Sequence, residues 1–330
     1  MPRYNRISLL IKACALTIVL CLTPAVADAN DYPTRPVKIV LGFSAGGGVD
    51  LIGRIIAERL STLLGQQFIV ENKAGASGTI AAATVAKADP DGYTILLVIE
   101  SHVISPITLA PLAPLAYDPV SDFVPIGLVG RSPLLMVING KVPAKDFAEF
   151  MKFAKEVPNG PTVAHIGPTS SNYLAAVSLS QKSGVKFSLI PYRGGGPAIS
   201  DLVAGHVQVL FMSQGSAHQY TKGGELRALA AASTRPVPLY PELPTLRSLG
   251  YDVVAELWFG FVAPAKVPKE VVKRLEDALA DVLAQPAVQQ RLADLGVVLT
   301  PMKSAAFGEF LAEQTKFWEE NKGVMTESEK

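Results

Sequence analysis

Strand-like and helix-like runs alternate along almost the whole chain, and that alternation constrains its fold more than any other feature. VKIVLGF (37–43) reads as a strand. The run 49–64 after it carries apolar residues at 52, 55, 56, 60, 63 and 64, one face of a helix. Gly65 stands at a helix-stop position. QFIVENK, the helix-like GTIAAATVAKA, the turn DPDG (89–92) and the strand YTILLVI continue the series. A second series comprises TVAHIG, a helix from about Asn172, FSLIPY, a helix from about Pro197, VQVLFM and ELRALAAAS. Beyond 264 the chain turns helical. Such a pattern predicts an α/β protein with mainly parallel sheets.

Two extended runs interrupt the alternation. FVPIGLVGRSPLLMVING (123–140) is long enough for two strands, or for one that passes between domains, and YDVVAELWFGFVAP (251–264) is its counterpart. Together they predict a double crossover around an inserted domain. Domain 1 is expected to be discontinuous, residues 30–129 plus 256–330, and domain 2 to span 130–255. A ligand cleft is expected between them, because small molecules collect beyond the carboxyl ends of parallel strands.

Residues 1–27 have the order of a secretory signal peptide: Arg3 and Arg6, an apolar core broken by Lys12, then Ala25-Val26-Ala27 as an A-x-A cleavage site. Cleavage is expected after Ala27, or after Ala29, with the periplasm as destination. Both cysteines, Cys14 and Cys21, fall in the discarded segment, so the exported chain holds neither a disulfide nor a thiol. The three basic residues leave with it, and the remainder is close to neutral. No basic face stands out, which excludes nucleic acid as the expected partner.

Three strand-to-helix junctions carry unusual loops: GFSAGGGVD (42–50), HIGPTSSNY (165–173) and YRGGGPAISD (192–201). Each opens a helix whose first amides lack intrahelical partners. Helix N-termini present N–H donors and a partial positive charge, so they bind anions without Lys or Arg. Glycine lets the backbone approach closely, and Ser44, Thr169, Ser170 and Ser171 add hydroxyls. One such loop would be an ordinary tight turn, but three at equivalent junctions point to a shared anion cleft.

The nucleotide motifs fail at specific positions. A Walker loop starting at Gly42 needs Lys where Gly48 stands, and a dinucleotide fingerprint starting at Gly46 needs a small residue where Leu51 stands. Gly42 to Gly46 also reads G-x-S-x-G, which makes an exported serine hydrolase using Ser44 the alternative function. It is disfavoured because the junction follows the first strand, leaving no earlier loop for an oxyanion hole. Of His102, His165, His206 and His218, only His165 is placed to serve as a base. The histidines show no metal-ligand spacing, and no cofactor is expected.

GFSAGGGVDLIGRIIAERLSTLLGQQFIVENKAGASGTIAA, AKADPDGYTILL, YDPVSDFVPIGLVG, PYRGGGPAISDLVAGHVQVLF, GELRALAAAS and the C-terminal WFGFVAP, VPKEVVKRL and LADLGV are similar, in order, to the tripartite tricarboxylate transporter substrate-binding proteins, the Bug-type solute receptors. The resemblance implies a type II periplasmic-binding-protein fold, two αβ domains that close like a flytrap on a small carboxylate: a di- or tricarboxylate, an amino acid or an aromatic acid. It implies a non-catalytic monomer that delivers its ligand to integral-membrane permease subunits, or reports to a membrane sensor.

By position, it assigns a ligand carboxylate to Phe43, Ser44, Ala45, Gly46, Gly47 and Asp50 in the first loop and to Gly167, Thr169, Ser170 and Ser171 in the second. Tyr192, Gly194 and Gly195 line the same cleft. Asp50 lies in the first helical turn, where a carboxylate suits the dipole and ties the loop down. The chain departs from the family at Thr169, usually Gly; at Tyr173, usually His; and at Met212, often Asp. Glu100 replaces the usual small hydroxyl residue, either as a partner for a cationic ligand group or as a rim residue in water.

Overall fold

The computed structural model describes residues 32–109, 116–192 and 194–320. The expected signal segment, its cysteines and the expected cleavage sites lie outside the described residues. Ten strands and ten α-helices are found among them. Strand β1 (Val37–Leu41) leads into helix α1 (Gly48–Leu64), then β2 (Phe68–Asn72), α2 (Thr79–Ala86), β3 (Thr94–Val98) and α3 (Ser101–Leu109). The long strand β4 (Phe123–Asn139) follows, then α4 (Phe147–Glu156), β5 (Thr162–His165), α5 (Ser171–Ser183), β6 (Ser188–Pro191) and α6 (Gly195–Ala204). After β7 (Val209–Ser213), α7 (Gln214–Lys222) and β8 (Leu226–Ala232), the chain returns through β9 (Glu256–Pro264). Helices α8 (Lys269–Leu283) and α9 (Pro286–Asp294), strand β10 (Val298–Lys303) and α10 (Ser304–Glu320) complete it.

The strands form two parallel trios joined by crossing strands. β1 lies between β2 and β3, all parallel, and β5 lies between β6 and β7, all parallel. β4 is one strand, not two. Its first part pairs antiparallel with β9 and β10, and its second part, from Leu134, with β7 and β8. The return runs beside it: Leu134 donates to the Ala255 carbonyl at 3.0 Å, and Ala255 donates to Ala232 at 2.8 Å. The double crossover is therefore present. The sheets are parallel within their trios and mixed overall, because a chain that leaves and re-enters must run past itself in opposite directions.

The period-2 alternation of strands sorts the core. Leu134, Met136 and Ile138 of β4 face a cluster with Phe147, Phe150, Ala176 and Leu179. Leu135 and Val137 face the opposite cluster, with Ala198, Leu202 and Leu210. A third cluster holds Val40, Leu96, Val98, Leu128 and Val262 against Phe307, Phe310 and Leu311 of α10. Tyr173, Leu174 and Val177 of α5 also enter this third cluster, so the helix behind the second loop packs onto the first trio's side.

Candidate functional site

The first loop leaves the carboxyl end of β1, while the second and third leave the adjacent ends of β5 and β6. Tyr192 N–H donates to the His165 carbonyl at 2.7 Å, which fastens the third loop beside the second. The first and second loops meet through residues the motif search passed over. A Cβ built at Gly42 would lie 2.4 Å from Gly78 Cα, and one built at Gly167 would lie 3.7 Å from Ser77 Oγ. Ala76 and Ser77, between them, hold φ of 44° and 53°. A left-handed conformation is unfavourable for both residues, and strain of this kind gathers at ligand clamps. The Gly-rich GASG run was legible in the sequence, but its role as the bridge between two loops was not.

Most glycines in the first and third loops are not there for packing. A Cβ at Gly46, Gly48, Gly194, Gly195 or Gly196 would meet no atom within 4 Å. Ser44 to Gly48 are exposed. The N-caps of α1 and α6 are Gly47 and Gly194, and neither helix start is capped by a side chain. Two helix starts thus combine free first-turn amides with open space in front of them.

The second loop is organised differently. Thr169, Ser170, Ser171 and Asn172 are all buried. Ser170 Oγ donates to the Gly167 carbonyl at 2.5 Å and accepts from Tyr173 N–H, capping α5. Asn172 Oδ1 accepts from Tyr173 N–H at 2.9 Å. Thr169 is 1% exposed, and its hydroxyl has no partner among the described residues.

Asp50 braces the first loop. It is buried, accepting from Gly46 N–H, Arg54 Nε and Asn72 Nδ2, each at 2.9 Å. Asn72 also donates to the Phe43 carbonyl at 3.0 Å. Burial alone would raise the carboxyl pKa, but the donors from Arg54, Gly46 and Asn72 outweigh it and hold Asp50 below the ordinary range. Asp50 is therefore ionised and already engaged by the protein, as its first-turn position suggested. Its partners Arg54 and Asn72 carried no sequence signal, being ordinary polar residues on a helix and at a strand end.

Glu100 is not a rim residue. It follows β3, is 4% exposed, and one carboxylate oxygen, Oε2, has no partner among the described residues. Burial pushes its pKa up to about 7, opposed by donors from its own N–H and from the hydroxyl and N–H of Ser171. Met212 is buried in the apolar cluster with Leu135, Val137 and Ala198, against which Tyr192 of the third loop also packs. Tyr192 lines the third loop with its hydroxyl committed to Asp201 Oδ2 at 2.7 Å; burial first, then that carboxylate, pushes its pKa up to about 12.

No nucleophile–base pair forms at the G-x-S-x-G sequence. Among the described residues no hydrogen bond joins Ser44 to His165, whose Nδ1 accepts from Gly167 N–H at 3.2 Å. His165 is buried and its pKa is lowered by that burial. Among the described residues no cluster of three His, Cys, Asp or Glu has metal-binding geometry.

A family signature described as tripartite tricarboxylate transporter family receptor matches residues 52–322. The chain belongs to this family. Its solved relatives include the periplasmic binding protein BugD, 33% identical with a TM-score of 0.81, covering 89% of this chain and 98% of BugD. MatC from Rhodopseudomonas palustris, solved with bound malate, is 30% identical with a TM-score of 0.79, covering 89% of this chain and 100% of MatC. A second R. palustris protein, solved with adipate, is 28% identical with a TM-score of 0.83, covering 89% of this chain and 98% of that one. These chains share the α/β fold of this one.

Proposed function

We propose that this protein is a periplasmic receptor that captures a small carboxylate between the two halves joined by β4 and β9, with the first half drawn from 30–129 and 256–330 and the second from 130–255. It hands the ligand to membrane permease subunits of the tripartite tricarboxylate type. The observation that carries the reading is the pair of glycine-capped helix starts at α1 and α6, which no side chain caps and whose glycines border open space. The amides of such starts bind a carboxylate without a cationic side chain, and the partial charge of the helix N-terminus favours it. The malate and adipate bound by two relatives support this choice of anion. In this reading Ser44 is a donor to the ligand and attacks nothing.

Thermal-shift titration of the purified protein with mono-, di- and tricarboxylates, amino acids and aromatic acids tests the proposal. A ligand of the folded state raises the melting temperature by mass action. At least one acid is expected to do so at micromolar to millimolar concentration, and silence across the panel would refute the reading. A fluorophosphonate probe is expected to leave Ser44 unlabelled.

A further inference from the structure

Glu100 sits beside the start of α5. It occupies the turn between β3 and α3, and the donors that reach it from beyond its own backbone belong to Ser171, the first residue of α5. The amides of a helix start and a neighbouring hydroxyl form a carboxylate site. Here the chain's own carboxyl group is set against it. Among the described residues no cation acts on Glu100, and the donors that do are its own amide and Ser171. The remaining Oε2 is buried without a partner among the described residues, and so is the hydroxyl of Thr169 two residues before Ser171. Two unsatisfied buried polar groups beside one helix start are costly unless something else pairs with them.

The chemistry of that missing partner follows. Above about pH 7, where it is ionised, Glu100 accepts hydrogen bonds and repels a like charge, so a ligand group beside it must donate. An ammonium or a hydroxyl satisfies Oε2. A second ligand carboxylate would instead meet a carboxylate with no cation between them. The glycine-capped starts of α1 and α6 remain free for one ligand carboxylate. We propose that Glu100 takes the place of a ligand carboxylate at the start of α5, and so selects ligands with one carboxylate and a hydrogen-bond donor at the far end. This rests on the carboxylate-receptor reading above and narrows its substrate class.

Matched pairs separate the two. Protein stripped of co-purified ligand by unfolding and refolding is titrated calorimetrically at pH 8 with γ-aminobutyrate, 4-hydroxybutyrate and succinate, and with 6-aminohexanoate and adipate. Wild type is expected to bind the donor-ended member of at least one set ten times or more tighter than its dicarboxylate counterpart. Glu100→Gln, which keeps the shape and removes the charge, is expected to shrink that preference, and Glu100→Ser, which frees the Ser171 donors, to reverse it. Equal or tighter dicarboxylate binding by wild type overturns the inference and leaves the carboxylate reading standing. An unchanged preference in a folded Glu100→Gln protein does the same. If wild type and both variants bind none of these acids or the wider panel, the carboxylate reading itself falls, and the inference with it.

Discussion

Two buried carboxyl groups near the loops respond oppositely to pH. Asp50 has a folded pKa below its ordinary value, so its contribution to stability is present above about pH 4 and is lost as pH falls further. Burial pushes the folded pKa of Glu100 up to about 7, against an ordinary value of 4.5. The folded state therefore holds its proton more tightly, and stability declines as pH rises from 4.5 to 7 and then levels. The difference corresponds to roughly 3 kcal/mol. Urea midpoints for wild type and Glu100→Gln across this window should converge at the acid end and diverge towards neutrality, with the variant more stable. Parallel curves would contradict the burial of an ionisable Glu100. For Asp50→Ala the expected loss is smaller, roughly 1–2 kcal/mol, because Arg54 and Gly46 N–H are exposed enough to recover water, leaving mainly Asn72 short of a partner. The same change should weaken carboxylate binding about tenfold through a slack first loop. Normal affinity in a destabilised Asp50→Ala protein would show that the brace does not shape the site.

At the scale of elements, glycines of two kinds can be told apart by substitution. Gly260 in β9 lies under Phe307, and a Cβ there would come within 2.2 Å of the ring. Phe307 is fully buried, so Gly260→Ala should cost roughly 1–3 kcal/mol by overpacking. Gly195, at the start of α6, faces open space, and alanine suits a helix better by about 1 kcal/mol. Gly195→Ala should therefore leave melting unchanged or raised while weakening ligand binding, because the methyl group intrudes where the carboxylate approaches. Unaltered affinity would remove the third loop from the site. This contrast was not readable in the sequence, where both positions are simply glycine. The elements themselves were readable wherever period and punctuation agreed. The helix expected at 49–64 is Gly48–Leu64 with Gly65 as a left-handed cap at φ 69°, and 123–140 is the single strand β4. Helices α3 and α7 escaped notice because SHVISPITL and QGSAHQYTK lack a clean apolar stripe. Glu100 was legible as a strand-end residue, but its apposition to Ser171 depends on a contact between residues 71 positions apart, which no local pattern encodes.

At the scale of the whole molecule, the proposed receptor needs its two halves held together around the ligand. The second half touches the first on either side of the crossing strands. On one side Tyr173, Leu174 and Val177 of α5 are buried among Val40, Leu96 and Leu128. On the other, Gln214 Nε2 at the start of α7 donates to the Gly296 carbonyl at 3.0 Å, and a Cβ at Gly215 would strike the Leu295 carbonyl carbon at 2.3 Å. The α7 contact is close and backbone-limited, as a pivot must be. The α5 contact is apolar side chains, whose burial contributes roughly 2 kcal/mol each and can be given up as a unit. Opening would then swing α5, with the second loop and Ser171, away from Glu100 and Ser77, while β4 and β9 flex. Leu174→Ser should shift the balance towards the open form without unfolding either half. Apparent affinity falls in proportion to the closed fraction, so roughly tenfold weaker binding is expected, with a larger radius of gyration by small-angle X-ray scattering before ligand is added. Saturating ligand should restore the wild-type scattering curve. If the variant scatters like wild type without ligand, α5 does not hold the closed form and the crossing strands alone fix the arrangement of the halves.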